Sequence, residues 1–101
     1  MSKYRMEDGT VIDTDNATRK WEEATDWDGN NNISRATKNQ WTHQMLYRSR
    51  KGRYYIEHWS QYQGSTPRAE WVSEHEAVRW LTLMDEEVPE EVAHLVAEVT
   101  E

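Results

Sequence analysis

The clearest hydrophobic pattern along the chain is an alternation in its middle third. In Gln40–Ser49, large side chains occupy alternate positions, which is the two-residue period of a β-strand. Arg50-Lys51-Gly52 follows, and this sequence is typical of a three-residue hairpin loop with glycine in the left-handed conformation. Arg53–Ser60 is then the returning strand. The pattern therefore predicts an antiparallel hairpin at the centre of the chain.

The length of this loop sets the pairing register and, with it, the two faces of the hairpin. Leu46 is expected opposite Ile56, and Tyr47 opposite Tyr55. One face then carries Trp41, Met45, Tyr47, Tyr55 and Trp59. The other face carries Leu46, Tyr54 and Ile56 among polar residues. A loop shorter by one residue would change this pairing, because successive side chains point to opposite faces.

The last third of the chain changes to a helical period. Ala69–Val72 is predicted as a final short strand, and Ser73 with Glu76 forms a capping-box sequence that starts a helix running to about Met84. Pro89 opens a second helix at its first turn, where a missing N–H has no cost. The apolar stripes of the two helices are Ala77, Trp80, Leu81 and Met84, and then Val92, Leu95, Val96 and Val99.

The N-terminal part is less regular. Asp8-Gly9 lies between two short runs, Lys3–Met6 and Thr10–Asp13, and predicts a hairpin because both turn residues tolerate positive φ. The next segment, Thr14–Ala24, has two interpretations, a helix or a strand. The helix would have a thin apolar stripe, so the strand is favoured. The strand would place on one face Ala17, Arg19 and Trp21.

Together these elements predict an α+β fold, in which two C-terminal helices pack on an antiparallel sheet of four to five strands. A chain of 101 residues is expected to form a single domain, mostly β over residues 1–72 and helical over residues 73–101. Asp26–Asn32 and Gln61–Arg68 are predicted as loops, since both are rich in residues that favour turns.

Composition indicates a folded chain with a partly polar core. A hydrophobic fraction of 36% and a charged fraction of 31% favour disorder, but six Trp and five Tyr are atypical of disordered chains. The absence of cysteine excludes disulfides and cysteine nucleophiles, and it favours a cytoplasmic location. The N-terminus lacks the apolar run of a signal peptide, and no stretch approaches the ~20 apolar residues of a membrane span. We therefore expect no association with membranes.

Charge divides the chain into a basic middle and an acidic end. Residues 33–68 contain seven Lys or Arg and one acid, Glu57, whereas residues 69–101 contain ten acids and one base, Arg79. This asymmetry predicts two parts with different roles. The net charge of −7 argues against phosphate-driven binding over the whole surface.

Candidate partner-binding residues surround the predicted hairpin turn. They are Tyr47, Arg48, Arg50, Lys51, Arg53, Tyr54, Tyr55 and Trp59. Tyr, Trp and Arg are enriched at binding hot spots, so the set predicts a protein-binding surface. The same cations and rings suit the phosphates and unpaired bases of nucleic acid. Three structural alternatives remain. The cations could protect a sheet edge, or they could face the acidic helices, and the aromatic face could be the core under those helices.

The supply of apolar residues suggests a further surface. Both faces of the predicted sheet carry apolar side chains, whereas the helices offer only two stripes. One face or an open strand edge would then remain for a partner or a second copy. A homodimer is slightly favoured over a monomer on this basis.

Neither a catalytic motif nor a metal-binding motif is evident in the sequence. Glycine-rich phosphate loops, nucleophile elbows and HExxH are absent. The four histidines are scattered, and although His43 and His58 approach each other across the predicted hairpin, two histidines do not make a zinc site. Glu57 is expected to pair with an arginine on a neighbouring strand. We therefore expect a protein that is not an enzyme, without a cofactor or a metal.

One segment has a partial likeness to a calcium loop. Asp26, Asp28 and Asn30 have the spacing of the first ligands in an EF-hand. That loop needs glycine at its sixth position and glutamate at its twelfth, where this chain has Gly29 at the fourth and Thr37 at the twelfth. A turn is the better interpretation.

The central pattern resembles a family of small proteins carried by phages, plasmids and integrative elements. The matching residues are Asp13-Thr14 with Ala17, Leu46-Tyr47-Arg48, Lys51-Gly52-Arg53-Tyr54-Tyr55-Ile56, and Glu76-Ala77 with Trp80. The resemblance implies an α+β domain and an accessory role in a mobile element, and it transfers no active residues. The chain departs from the family after the second hairpin strand, where relatives have a glycine-rich stretch and it has Ser60-Gln61-Tyr62-Gln63-Gly64.

These observations favour a non-enzymatic protein-interaction module of a phage or mobile element. Its expected partner is a protein of unknown identity, such as a host defence or regulatory component. Binding would depend on a few buried rings rather than on many salt bridges. The alternative is a nucleic-acid-binding protein that uses the basic aromatic hairpin.

Overall fold

The computed structural model describes residues 3–27, 29–38, 41–60 and 66–99. Its centre is an antiparallel sheet of four strands, which lie side by side in chain order. These strands are β3 (Arg19–Glu22), β6 (Thr42–Arg48), β7 (Tyr54–Ser60) and β8 (Arg68–Val72). The predicted α+β class with an antiparallel sheet is therefore confirmed.

The other elements are two small hairpins and the C-terminal helices. The hairpins pair β1 (Lys3–Arg5) with β2 (Val11–Asp13), and β4 (Thr25–Trp27) with β5 (Asn32–Ser34). The helices are α1 (Glu74–Leu83), a 3-10 helix (Glu90–Leu95) and α2 (Val96–Val99), and a short 3-10 helix spans Thr14–Asn16. Among the described residues, no helix is long and apolar enough to cross a bilayer.

The central hairpin, β6 with β7, has the predicted register. Leu46 lies opposite Ile56, and Tyr47 lies opposite Tyr55. The backbone N–H of Gly52 donates to the carbonyl of Ser49 at 2.9 Å, which closes a three-residue loop. Gly52 has a φ of 88°, in the left-handed region that glycine enters without a Cβ clash. The loop type and the two faces of the hairpin are thus confirmed.

The C-terminal helices pack on the face of the sheet that carries Leu46, Tyr54 and Ile56. The buried residues that the helices and the turn between them contribute are Ala77, Val78, Trp80, Leu81, Met84, Val92 and Leu95. Trp80 also donates its indole N–H to Oε1 of Gln44 at 3.0 Å, so its polar atom is satisfied inside the core. The predicted helical stripes are confirmed, apart from the side chain of Val99, which lies outside the description.

The start of α1 confirms the capping-box prediction. The Ser73 side chain accepts from the backbone N–H of Glu76 at 3.1 Å, and the Glu76 side chain accepts from the backbone N–H of Ser73. Both contacts satisfy N–H groups that a helix start would otherwise leave unpaired.

The hairpin of β1 and β2, called the N-terminal hairpin below, covers the opposite face of the sheet. Its Met6 and Ile12 form a second buried cluster with Tyr47 and Tyr55. The interpretation that the aromatic face is the core under the helices is therefore wrong, because the helices occupy the other face. The turn of this hairpin uses positive φ only at Gly9, with a value of 87°, and not at both turn residues.

Glu57 fastens the N-terminal hairpin to the sheet. It accepts hydrogen bonds from the hydroxyls of Tyr47 at 2.9 Å and Tyr4 at 2.5 Å. The expected pairing with an arginine is wrong, because the residues opposite Glu57 on the neighbouring strands are Met45 and Ala69. Two tyrosine hydroxyls satisfy the carboxylate instead of a cation.

The segment Thr14–Ala24 contains strand β3, as favoured from the sequence. Trp21 packs on the helix side, whereas Ala17 packs against the N-terminal hairpin. The expectation that Ala17 and Trp21 share a face is therefore wrong. Ala17 precedes the strand, so the alternation of strand side chains does not extend to it.

The predicted loop at Asp26–Asn32 is partly wrong, because its two ends belong to β4 and β5, which pair antiparallel. Arg35 donates to the Asp26 carboxylate from Nε and Nη2, at 3.0 to 3.1 Å. Asp26, one of the candidate calcium ligands, is therefore already paired with an arginine. Three further predictions concern Asp28, Gln40 and residues 61–65, all of which lie outside the described residues.

Truncation of Trp80 is expected to be strongly destabilising. Its ring is 6% exposed and fills the space between α1 and the sheet. Trp80→Ala should lower the free energy of unfolding by about 3–5 kcal/mol, because burial is lost and a cavity remains. Urea denaturation followed by circular dichroism measures this. Trp27→Ala, at a ring that is 65% exposed, is the matched control and should change stability by about 0.5 kcal/mol or less. A loss below about 1 kcal/mol for Trp80→Ala would contradict the packing described.

Candidate functional site

A cleft of about 370 Å³ lies between the N-terminal hairpin and the loop of the central hairpin, and is called the tip cleft below. Its lining residues are Thr10, Val11, Ile12, Asp13, Asn16, Ser49, Arg50, Lys51, Arg53, Tyr55 and Trp71. Four of these belong to the predicted partner-binding set: Arg50, Lys51, Arg53 and Tyr55. The structure therefore brings half of that set together in one concave site.

Two cations of the tip cleft are free of internal partners. Arg50 and Lys51 are exposed, and no hydrogen bond or ion pair joins either side chain to the described residues. The three-residue loop places them at the end of the hairpin, where the backbone turns through the left-handed Gly52. The loop thus presents two positive charges on a chain whose net charge is −7.

Arg53 has a different environment from its neighbours. Its guanidinium carbon lies 3.8 Å from the ring centre of Trp71, and its Nη1 donates to Oδ2 of Asp8 at 3.1 Å. The backbone N–H of Thr10 is the largest cause that holds the pKa of Asp8 well below its ordinary value, followed by the Thr10 side chain and Arg53. Arg53 therefore ties the N-terminal hairpin to the ring of Trp71.

Tyr55 is the most deeply buried residue of the tip cleft, at 1% exposure. Its ring stacks on Tyr47 with centroids 5.0 Å apart and meets Trp71 edge-on at 5.8 Å. Burial, and next the nearby Glu57, raise the pKa of the Tyr55 hydroxyl, so it remains a protonated donor at neutral pH. That hydroxyl is shielded from solvent and has no hydrogen-bond partner among the described residues.

The indole N–H of Trp71 is a second buried donor without a partner at hydrogen-bonding geometry. It does contribute to the low pKa of Asp8, but it is the weakest of the causes. The Asp8 carboxylate therefore lies near this N–H, although the two groups do not meet at ordinary hydrogen-bonding geometry.

The remaining predicted residues lie outside the tip cleft. Tyr47 is buried behind Tyr55, and Tyr54 is buried in the core under the helices. Arg48 lies on the helix side, where its Nε is 3.2 Å from Oε1 of Glu91, an ion pair without hydrogen-bond geometry. The interpretation that the cations face the acidic helices holds for Arg48 alone among the four around the turn.

Trp59 lies on the same face as the tip cleft but farther along the strands. It is half-buried, and its ring stacks on His43 at 5.7 Å. His43 is opposite Trp59, whereas His58 is opposite Gln44, so the two histidines project to opposite faces. Within the described ranges, no three His, Cys, Asp or Glu side chains are grouped closely enough to hold a metal ion.

The sequence did not predict that Val11, Ile12 and Trp71 also line the cleft. Trp71 pairs with Tyr55 across β7 and β8, so the predicted strand Ala69–Val72 contained the signal that places its ring on the aromatic face. Val11 and Ile12 carried no such signal, because nothing in a three-residue strand indicates which sheet face it will cover.

The lining offers binding groups rather than an assembled catalytic group. Ser49 Oγ accepts from the backbone N–H of Arg53 at 3.0 Å, so it serves the loop, and the described lining contains no histidine to act as its base. Comparison with protein-family models, curated proteins and solved structures found no match to the chain. The chemistry of the cleft must therefore be argued from its own residues.

The hydrogen bonds of the Asp8 carboxylate, first with the backbone N–H and side chain of Thr10 and next with Arg53, predict pH-dependent stability. The folded-state pKa of Asp8 lies below its ordinary 3.8, so the stabilisation is present above that value and is lost as the pH falls through the folded pKa. Melting temperatures of the natural chain and Asp8→Asn should differ most at neutral pH and converge as the pH falls from about 4 toward 2. Asp15→Asn, at an exposed carboxylate, is the control and should show a small difference at every pH. An Asp8→Asn difference that is equal at both ends of the range would contradict a lowered folded-state pKa of Asp8.

Proposed function

We propose that the protein is a non-enzymatic protein-interaction module and that the tip cleft is its partner-binding surface. The observation that carries this proposal is a pair of exposed cations, Arg50 and Lys51, which have no partner among the described residues and lie at the edge of an aromatic cleft. Charges that have no internal partner are available for an external one. The cleft is also concave, as small-ligand and peptide sites usually are.

The partner's contact segment is expected to be acidic with an apolar anchor. Arg50 and Lys51 are positive points on an acidic protein, so they favour the approach of negative groups and disfavour positive ones. Val11 is 63% exposed and Trp71 is half-buried, and together they offer apolar area beside the cations. Aromatic rings and arginine at the centre of a contact supply most of the binding energy at many interfaces. Binding would act by steric occlusion of the partner's surface.

The setting that we propose is the cytoplasm of a cell that carries a phage or another mobile element. The partner would then be a defence or regulatory protein of the host or of the element. The resemblance of Leu46-Tyr47-Arg48 and the following hairpin to proteins of mobile elements supports this setting.

Nucleic-acid binding is the second candidate, and the same two free cations favour it. The other two cations of the turn are engaged, since Arg48 pairs with Glu91 and Arg53 with Asp8. Tyr54 and Tyr55 are buried, so their rings are not available to stack on bases. Because two of the four cations are paired and both rings are buried, a protein partner is better supported than nucleic acid.

Self-association stays a prediction. Elements pack on both faces of the four-stranded sheet, so a homodimer would need a strand edge or exposed apolar side chains such as Val11 and Trp27. The outer strands β3 and β8 carry exposed charged residues, which oppose edge pairing. Light scattering at micromolar concentration measures the oligomeric state directly.

Charge reversal at the turn tests the proposed surface. Affinity capture from a lysate of the encoding organism should recover a partner with the natural chain and lose it with Arg50→Glu/Lys51→Glu. The purified partner should bind this variant at least about tenfold more weakly, or about 1.4 kcal/mol. Lys20→Glu/Arg79→Glu is the matched control, because it reverses two exposed cations away from the cleft. Loss of the partner with both variants, or with neither, would contradict a specific role of the tip cleft.

Nuclease treatment of the lysate before affinity capture, together with a gel-shift series, distinguishes a protein partner from nucleic acid. Two phosphate contacts predict only a shallow dependence on salt, with a slope of about −1.4 for single strands. We expect no shift of a single-stranded oligonucleotide at moderate salt and micromolar protein. A partner that disappears after nuclease treatment, together with a steep salt slope, would favour nucleic acid over protein.

A further inference from the structure

The tip cleft has donors at and beneath its surface for which the described residues supply no acceptor. Arg50 and Lys51 are exposed and make no hydrogen bond or ion pair with the described residues. The Tyr55 hydroxyl is buried beneath the lining, shielded from solvent and without an acceptor among these residues. A buried donor without an acceptor is costly, and most such groups in folded proteins are satisfied. Two free cations and one unpaired hydroxyl at this cleft therefore indicate an acceptor-rich occupant.

Two of the acceptors in the lining are already engaged. The Asp13 carboxylate accepts from the backbone N–H of Asp15 at 3.0 Å, and Ser49 Oγ accepts from the backbone N–H of Arg53 at 3.0 Å. Asp13 is the acid among the described lining residues, and it stands against the two loop cations, Arg50 and Lys51, since Arg53 is paired with Asp8. The cleft is thus a positive site on an acidic chain, which raises the local concentration of anions.

The remaining lining sets the shape and polarity of an occupant. A volume of about 370 Å³ is within the range of small-molecule sites. Val11, Ile12 and the ring of Trp71 are apolar surfaces suited to a flat apolar group rather than to a bare inorganic ion. The two unpaired cations are at the hairpin loop, whereas Arg53 lies over the ring of Trp71 and Asp13 follows Ile12 in β2.

We propose that the tip cleft binds a small organic anion, in which a carboxylate or phosphate monoester is attached to a flat apolar body. The anionic group lies at Arg50 and Lys51 and accepts charge-assisted hydrogen bonds from them. The body lies against Trp71, and the Tyr55 hydroxyl donates to a ligand oxygen. Because that hydroxyl is shielded from solvent, the ligand reaches it through a small shift of the N-terminal hairpin, which the exposed Asp8–Arg53 ion pair holds at this end.

This ligand site requires no protein partner and goes beyond the proposed function. A bound anion would neutralise the two cations on which that function depends, so the ligand and an acidic partner would compete. Binding is measured on the purified chain alone, and its result is therefore independent of whether a partner is found.

Titration followed by ¹H–¹⁵N spectra of the full chain tests the proposal. The probes are benzoate and phenyl phosphate, with neutral benzyl alcohol and inorganic phosphate as controls. The indole cross-peak of Trp71, assigned with Trp71→Phe, should shift saturably with one or both aromatic anions. Benzyl alcohol and inorganic phosphate should each bind at least about tenfold more weakly, because each lacks half of the recognised chemistry. The two aromatic anions distinguish a carboxylate from a phosphate ligand.

Matched variants assign the site. Arg50→Gln/Lys51→Gln should weaken binding by about tenfold or more, whereas Lys20→Gln/Arg79→Gln, away from the cleft, should bind as the natural chain does. Tyr55→Phe keeps the ring and its stacking, so it should not lower the melting temperature and should weaken binding by about three- to tenfold.

Three results would overturn the inference. The first is no saturable shift of the Trp71 cross-peak with either aromatic anion up to about 10 mM, a concentration that detects weak sites. The second is an equal response to benzyl alcohol or inorganic phosphate, and the third is unchanged affinity in Arg50→Gln/Lys51→Gln. Unchanged affinity in a folded Tyr55→Phe variant would overturn the role of its hydroxyl as a ligand donor.

Discussion

The pairing register of β6 with β7 is the constraint on which the rest of the structure depends. The three-residue loop, with Gly52 in the left-handed region, sets Leu46 opposite Ile56 and Tyr47 opposite Tyr55. Each pair then belongs to a different core, one under the helices and one under the N-terminal hairpin. A slip of one residue would exchange these side chains between the faces, and neither covering element would meet the surface it fits.

Features of the fold that are encoded locally were predictable from the sequence. The central hairpin and the capping box at Ser73 and Glu76 depend on residues close together in the chain, and both are confirmed. The partners of Glu57 were not predictable in this way, because Tyr4 is 53 positions away and no local pattern relates the two. A carboxylate in a basic segment suggested an arginine, but the contact across the sheet face brought tyrosine hydroxyls instead.

The candidate site shows the same division between local and distant information. The exposure of Arg50 and Lys51 follows from their place in a tight loop, and the sequence was sufficient to predict it. Arg48 and Arg53 have the same charge but are paired with Glu91 and Asp8, which are distant in the chain. The predicted cluster of four turn cations is therefore two free and two internally neutralised cations, and only the packing of other elements distinguishes them.

The loop that sets the register also builds the binding surface, yet the two roles use different atoms. Register depends on the backbone of Ser49 and Gly52, whereas the side chains of Arg50 and Lys51 are exposed and make no hydrogen bond or ion pair with the described residues. Charges can therefore change at the tip with little cost to folding, because neither side chain is buried. Tyr55 is the exception, since its ring stabilises the sheet face while its hydroxyl is unpaired. Removing the hydroxyl alone separates stability from binding at this residue, which truncation of the whole ring cannot do.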